Sequence, residues 1–153
     1  MDGTPQRSPD VKIDSPAPAT ALVDIDRYFD WFEPALDYFR YTYTRDELRA
    51  DIGSGECMIV RVFLDGEPTG AALLRSVDTG DGKELLVMAI VGEQTEYWQT
   101  ELDRVLVGLA TEFGADYLTV EGRQGWQRRL AAFGYTIHSV VMRKPIRGKI
   151  NGQ

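Results

Sequence analysis

Residues 116–146 read DYLTVEG-RQGWQRRLAAFGY-TIHSVVMRKPI. The stretch spells strand, helix, strand. Residues 116–121 are short and carry β-branched and aromatic side chains, which suit a pleated strand. In residues 123–133, Trp126, Leu130 and Phe133 recur at helical spacing, with Arg123, Gln127 and Arg128 turned outward. Gly134 follows the last apolar position, where a helix C-cap needs positive φ without a Cβ penalty. Residues 135–142 then return as a strand. A long helix over 96–113 must pack on the same sheet. Everything upstream completes that sheet.

Working outward, the chain has 153 residues and 43% apolar composition, which suits one globular domain with a core. No apolar run approaches the roughly 20 residues that cross a bilayer, and the start does not read as a signal peptide. A cytoplasmic origin is therefore expected. One cysteine, Cys57, excludes an internal disulfide framework, and its apolar neighbours mark it as a small core residue. A net charge of −7 argues against nucleic-acid binding, which needs a positive footprint. The charge is nevertheless uneven. From Arg123 onward the charged residues are Arg123, Arg128, Arg129, Arg143, Lys144, Arg147 and Lys149, all basic. That segment reads either as a solvated helix face and tail or as a face for an acidic partner.

Residues 1–21 hold Pro5, Pro9, Pro16 and Pro18 among small polar residues and read as a flexible arm. Residues 22–146 are expected to form the domain, and 147–153 a basic tail. Asp24 suits a helix N-cap, with Ile25, Tyr28, Phe29 and Phe32 as the inward stripe. Pro34 suits the first position of a second helical segment. Thr44-Arg45-Asp46-Glu47 matches a capping box for a helix to about Ile52. Two strands, 58–64 and 69–77, flank Asp65-Gly66, a strong hairpin signal. Residues 84–91 are nearly all apolar, as in a strand buried on both faces. Thr95 then caps the long helix, whose stripe is Trp98, Leu102, Val105, Leu106, Leu109 and Phe113.

This order, closed by Leu130-Ala131-Ala132-Phe133-Gly134-Tyr135, resembles the GCN5-related N-acetyltransferase (GNAT) superfamily over 22–146. The segment from Val120 to Leu130, with Gly134, is also similar to the GNAT-like accessory and internal virion proteins of tailed phages. The resemblance implies an α+β fold with a mixed, mostly antiparallel sheet and flanking helices. It also implies an acyl-CoA site in the loop between the central strand and the long helix, where backbone N–H groups hold the pyrophosphate. In the family that loop carries a basic or amide residue, then Gly-x-Gly or Gly-x-Ala. Here it is Val91-Gly92-Glu93-Gln94-Thr95-Glu96-Tyr97, with one glycine and no Arg or Lys. Glu93 and Glu96 bring two negative charges toward a pyrophosphate. At ~4 Å each such pair costs about 1 kcal/mol in water and several times more when shielded. The family's general-acid Tyr corresponds to Leu130, which has no proton to give.

Two functional expectations follow. One is a catalytically degenerate GNAT-like module that binds protein and needs no cofactor, plausibly virion-associated. It would engage other chains, a second copy included, through the arm and through Arg123, Trp126, Arg128 and Arg129. The other is an acetyl-CoA-dependent N-acetyltransferase acting on an amine. Gly92, Gln94, Thr95 and Arg123 would then hold acetyl-CoA, and Glu84, Glu93 and Tyr135 are the candidate proton-transfer groups. One His (His138) and one Cys cannot make a customary zinc site. A third reading, an unrelated α+β interaction domain, would lack a splay between the central strand and the next.

Overall fold

The computed structural model describes residues 7–36, 43–80, 82–121 and 129–136. By contact the chain divides into two compact units, Met1–Arg123 and Gln124–Gln153. In the first, a five-stranded sheet runs in the order β1-β2-β3-β4-β5. Its strands are β1 (Val11–Asp14), β2 (Cys57–Leu64), β3 (Glu67–Thr79), β4 (Gly82–Gly92) and β5 (Tyr117–Val120). The first three pairings are antiparallel and β4–β5 is parallel. A parallel pair needs a long crossover, which α4 (Gln99–Glu112) supplies. The expected mixed, mostly antiparallel α+β architecture is the one observed.

Strand alternation divides the core between two faces. Cys57, Ile59, Leu73, Leu86 and Met88 point to one face. There they pack against α1 (Pro18–Val23), α2 (Ile25–Leu36) and α3 (Arg45–Ser54), which contribute Ala21, Ile25, Tyr28, Phe29, Phe32, Leu48 and Ile52. Their alternates Val60, Val62, Ala72, Leu74, Leu85 and Val87 are buried on the other face. That face is the one α4 crosses, burying Leu102, Leu106 and Ala110 while touching both edge strands.

Local signals explain most of these elements. The Thr44 hydroxyl accepts from the Glu47 N–H at 3.1 Å, the N-cap half of the expected capping box of α3, and donates to the Glu47 carboxylate at 3.0 Å. The helix passes Gly53 and ends at Gly55, whose φ is 85°. Asp65 (φ 49°) and Gly66 (φ 81°) turn the β2–β3 hairpin through two left-handed residues, as a type I′ turn requires. Past α4, the Gly114 N–H bonds Thr111 O and the Ala115 N–H bonds Ala110 O, a Schellman closure.

Two expectations are corrected. The proline-rich start is not a free arm from Val11 on. Val11–Asp14 pairs with β2, Pro18–Val23 is helical with Pro18 at its start, and Ala21 is buried. Asp14 also takes both ends of the Arg61 guanidinium, at 2.8 and 2.6 Å, a bidentate pair that secures the short edge strand. Pro34 does not open a second helix either. It lies inside α2, which continues through it without the hydrogen bond that residue 34 would otherwise donate to the Asp30 carbonyl. Asp24 joins α1 to α2, and its carbonyl accepts from the Tyr28 N–H.

In the second unit, residues 129–136 contain the end of a helix. The Gly134 N–H bonds Ala131 O and the Tyr135 N–H bonds Leu130 O, with φ 90° at Gly134. This is the C-cap expected of Gly134. The strand expected over 135–142 and the tail 147–153 lie largely or wholly outside the described residues.

Candidate functional site

The parallel pairing of β4 with β5 covers only Glu84–Val87 of β4. It closes with the Glu121 N–H on the Val87 carbonyl at 3.0 Å. β4 itself continues to Gly92. Among the described residues, β4 has no β5 partner beyond Val87, and the described part of β5 ends at Val120. Met88 is the next residue of β4 after that pairing. Leu74 faces Val87 and Leu73 faces Ala89, so Met88 is the extra residue of a β-bulge. Bulges bend and twist the strand that carries them. We refer to this end of the β4–β5 pairing, beside the Met88 bulge, as the fork.

Beyond the fork, β4 runs into a tight loop. Gly92 takes φ 142°, a backbone conformation that side chains rarely adopt. A Cβ there would lie 2.6 Å from Gly70 Cα and from Thr69 O. Gln94 is left-handed (φ 54°, ψ 41°) and leads into a 3-10 turn over Thr95–Tyr97. A left-handed residue followed by such a turn brings successive N–H groups to one side, a concavity that suits an anion. The first turn of α4 begins directly after it, adding its positive dipole end. Thr95 thus opens the 3-10 turn rather than capping α4, and α4 begins behind Trp98.

Trp98 is the anchor of the loop. It is fully buried, and its indole N–H donates to Glu93 O at 2.8 Å. Its ring covers the Gly70–Gly92 pair so closely that a Cβ on either glycine would fall within 3 Å of Cζ2. The Glu93 N–H bonds Thr69 O, the Tyr97 N–H bonds Gln94 O and the Trp98 N–H bonds Thr95 O. Three main-chain donors of the loop are therefore engaged within the chain. The sequence gives Trp98 only as the head of an apolar stripe. No motif signals its hydrogen bond.

The loop gathers Gly92, Glu93, Gln94 and Thr95 as expected. Glu93 and Glu96 are both exposed, so their repulsion of an anion stays near the water value of about 1 kcal/mol each, and salt screens it over ~8 Å. The stronger, shielded repulsion considered from sequence does not arise. Glu84 is separated from this loop. It lies at the other end of β4, where its carboxylate accepts from the Thr119 hydroxyl at 3.0 Å. It is a cross-strand partner, not a neighbour of Glu93. Tyr135 and Arg129 belong to the second unit. Arg123, Trp126 and Arg128 fall in 122–128 and His138 in 137–153, outside the described residues. Cys57 is buried, and burial pushes its thiol above the ordinary range, consistent with a core residue. Among the described residues there is no metal-ligand cluster, and no helix is long and apolar enough to cross a membrane.

No family model matches this sequence, and no curated protein matches it. Solved structures do. An aminoglycoside acetyltransferase from an uncultured soil metagenomic sample, in complex with trehalose, aligns with TM-score 0.66 and 11% identity, covering 90% of this chain and 97% of that one. A GCN5-related N-acetyltransferase from Ralstonia eutropha JMP134 aligns at 0.65 and 15%, covering 90% and 99%. The aminoglycoside N-acetyltransferase AAC(6')-Iy in complex with CoA aligns at 0.64 and 13%, covering 94% and 99%. The chain has the GNAT fold. At these identities the likeness is one of fold, and the chemistry rests on the residues at the fork.

Proposed function

We propose that this GNAT-fold chain is an acyl-CoA-dependent N-acyltransferase acting on an amine. The observation that carries the reading is the fork: among the described residues β4 pairs with β5 only as far as Val87, beside the Met88 bulge, and then runs on to a left-handed turn before α4. A parted pair of parallel strands offers an unpaired main-chain edge to an extended, amide-bearing chain. The turn and helix start beyond it suit a diphosphate. The pantetheine and diphosphate parts of an acyl-CoA have those two characters in that order. The Ralstonia eutropha and soil-metagenome neighbours are acetyltransferases, and AAC(6')-Iy was solved in complex with CoA, which supports the same assignment. The net charge of −7 favours a cationic acceptor.

Glu93 and Glu96 weaken donor binding without abolishing it. Replacing both, as E93Q/E96Q, should tighten acetyl-CoA binding by roughly 30-fold at low ionic strength, the equivalent of about 2 kcal/mol. The gain should shrink in 1 M salt. The activity itself is tested by thiol release from acetyl-CoA in the presence of polyamine and aminosugar acceptors. Amine-dependent release at a rate above solvent hydrolysis is the expected result. Tight donor binding with no amine-dependent release would overturn catalysis while leaving the seat.

A second reading has its own observation. The loop engages the N–H groups of Glu93, Tyr97 and Trp98 internally, and it carries two carboxylates. Leu130 stands where the family's Tyr would be. These features favour a catalytically silent, protein-binding module of the kind suggested by the phage virion likeness. Its contacts would run through residues 1–21 and the basic residues Arg123, Arg128 and Arg129, with Trp126 as an anchor. Absence of acetyl-CoA binding would turn the assignment to this reading.

A further inference from the structure

A cluster of polar side chains sits on the helix-covered face of the sheet, beside the fork. Cys57 faces Arg75, Arg75 faces Leu86, and Leu86 faces Thr119. Residues directly opposed across strands share a face, so this row crosses the sheet one step before Val87–Val120, the last pair ahead of the fork. On that row the Tyr43 hydroxyl donates to Asp51 Oδ2. The Arg75 guanidinium donates to the same oxygen at 2.8 Å and stands 3.9 Å from Glu56. The Tyr43 oxygen is 3.4 Å from Cys57 Sγ, and Cys57 Sγ is 4.0 Å from Met88 Sδ. Met88 is the bulge residue. On the neighbouring strand, Arg75 follows Leu74, where the register shifts. The chain of contacts thus reaches the bulge from both strands.

We propose that Tyr43, Asp51 and Arg75 are positioning residues of the fork: they press Cys57 against Met88 and so fix the bulge beside which the β4–β5 pairing ends. The functional half of this inference rests on reading the fork as the acyl-donor seat. A bulge inserts an unpaired residue into the ladder and bends its strand, so side chains packed on that residue bear on the bend. Here α3 supplies the hold, through Asp51. Burial, and then the bond to Asp51, raises the Tyr43 phenol above its ordinary range, so it keeps its proton and remains a donor.

The test uses D51N and Y43F in the full chain, with R61A as a destabilised control at the β1–β2 pair. Amide hydrogen exchange is measured along β4. In D51N and Y43F, exchange at Met88, Ala89 and Ile90 should rise roughly tenfold relative to Leu85–Val87, the order set by one lost charge-assisted hydrogen bond. In R61A, β4 should loosen evenly or not at all. Acetyl-CoA affinity should fall by a similar factor in D51N and Y43F, well below their melting temperatures, and hold in R61A. Uniform exchange along β4 in all three variants overturns the inference. If exchange rises at Met88 but no variant, nor the wild type, binds acetyl-CoA, the clamp stands and the donor-seat reading fails.

Discussion

At Gly92 the backbone takes φ 142° and lies against Gly70 Cα and Thr69 O, with the Trp98 ring across both glycines. Gly92→Ala meets strain and a backbone clash together. It should cost ~1–3 kcal/mol for the φ alone and more for the displaced strand. Urea denaturation should show this as a lower midpoint at unchanged slope. A variant within about 0.5 kcal/mol of wild type would mean that the loop is not held as described. Residues of this kind were only partly legible. Gly92 was readable as a loop glycine, and Cys57 as core, because their neighbours in sequence set their environment. Trp98 was readable as apolar and buried. Its bond to Glu93 O was not, because it depends on a turn that a left-handed Gln94 makes. The cluster of Tyr43, Asp51 and Arg75 joins three separate elements and carries no motif.

Among the elements, β1 and α1 depart furthest from expectation. Val11–Asp14 is four residues long, too short for alternation to stand out beside four prolines. It is a strand because β2 offers an edge and Arg61 waits for Asp14. Deleting residues 1–20 should therefore destabilise the sheet by roughly 2–5 kcal/mol, since it bares the β2 edge and the floor under α3. A free arm would leave the melting temperature unchanged, and that outcome would contradict the pairing. The capping box at Thr44, the Asp65-Gly66 turn and the Gly134 C-cap were legible because their physics is local. Pro34 misled for the opposite reason. Whether a helix runs through a proline depends on the packing around it, and Phe29, Phe32 and Leu36 bury α2 on both sides of Pro34.

For the whole molecule, element order sufficed for the mixed sheet. A nearly all-apolar β4 implies burial on both faces, and one long amphipathic helix before a short strand implies a parallel crossover. The bulge at Met88 and the early end of β4–β5 pairing were not legible, because register is a property of two strands and not of either alone. The central claim is that this fork seats an acyl-CoA. Its most direct test is titration calorimetry of the full chain with acetyl-CoA at 0.15 M salt. The account predicts saturable binding with one site per chain, competed by CoA. No heat and no competition up to millimolar donor would contradict it.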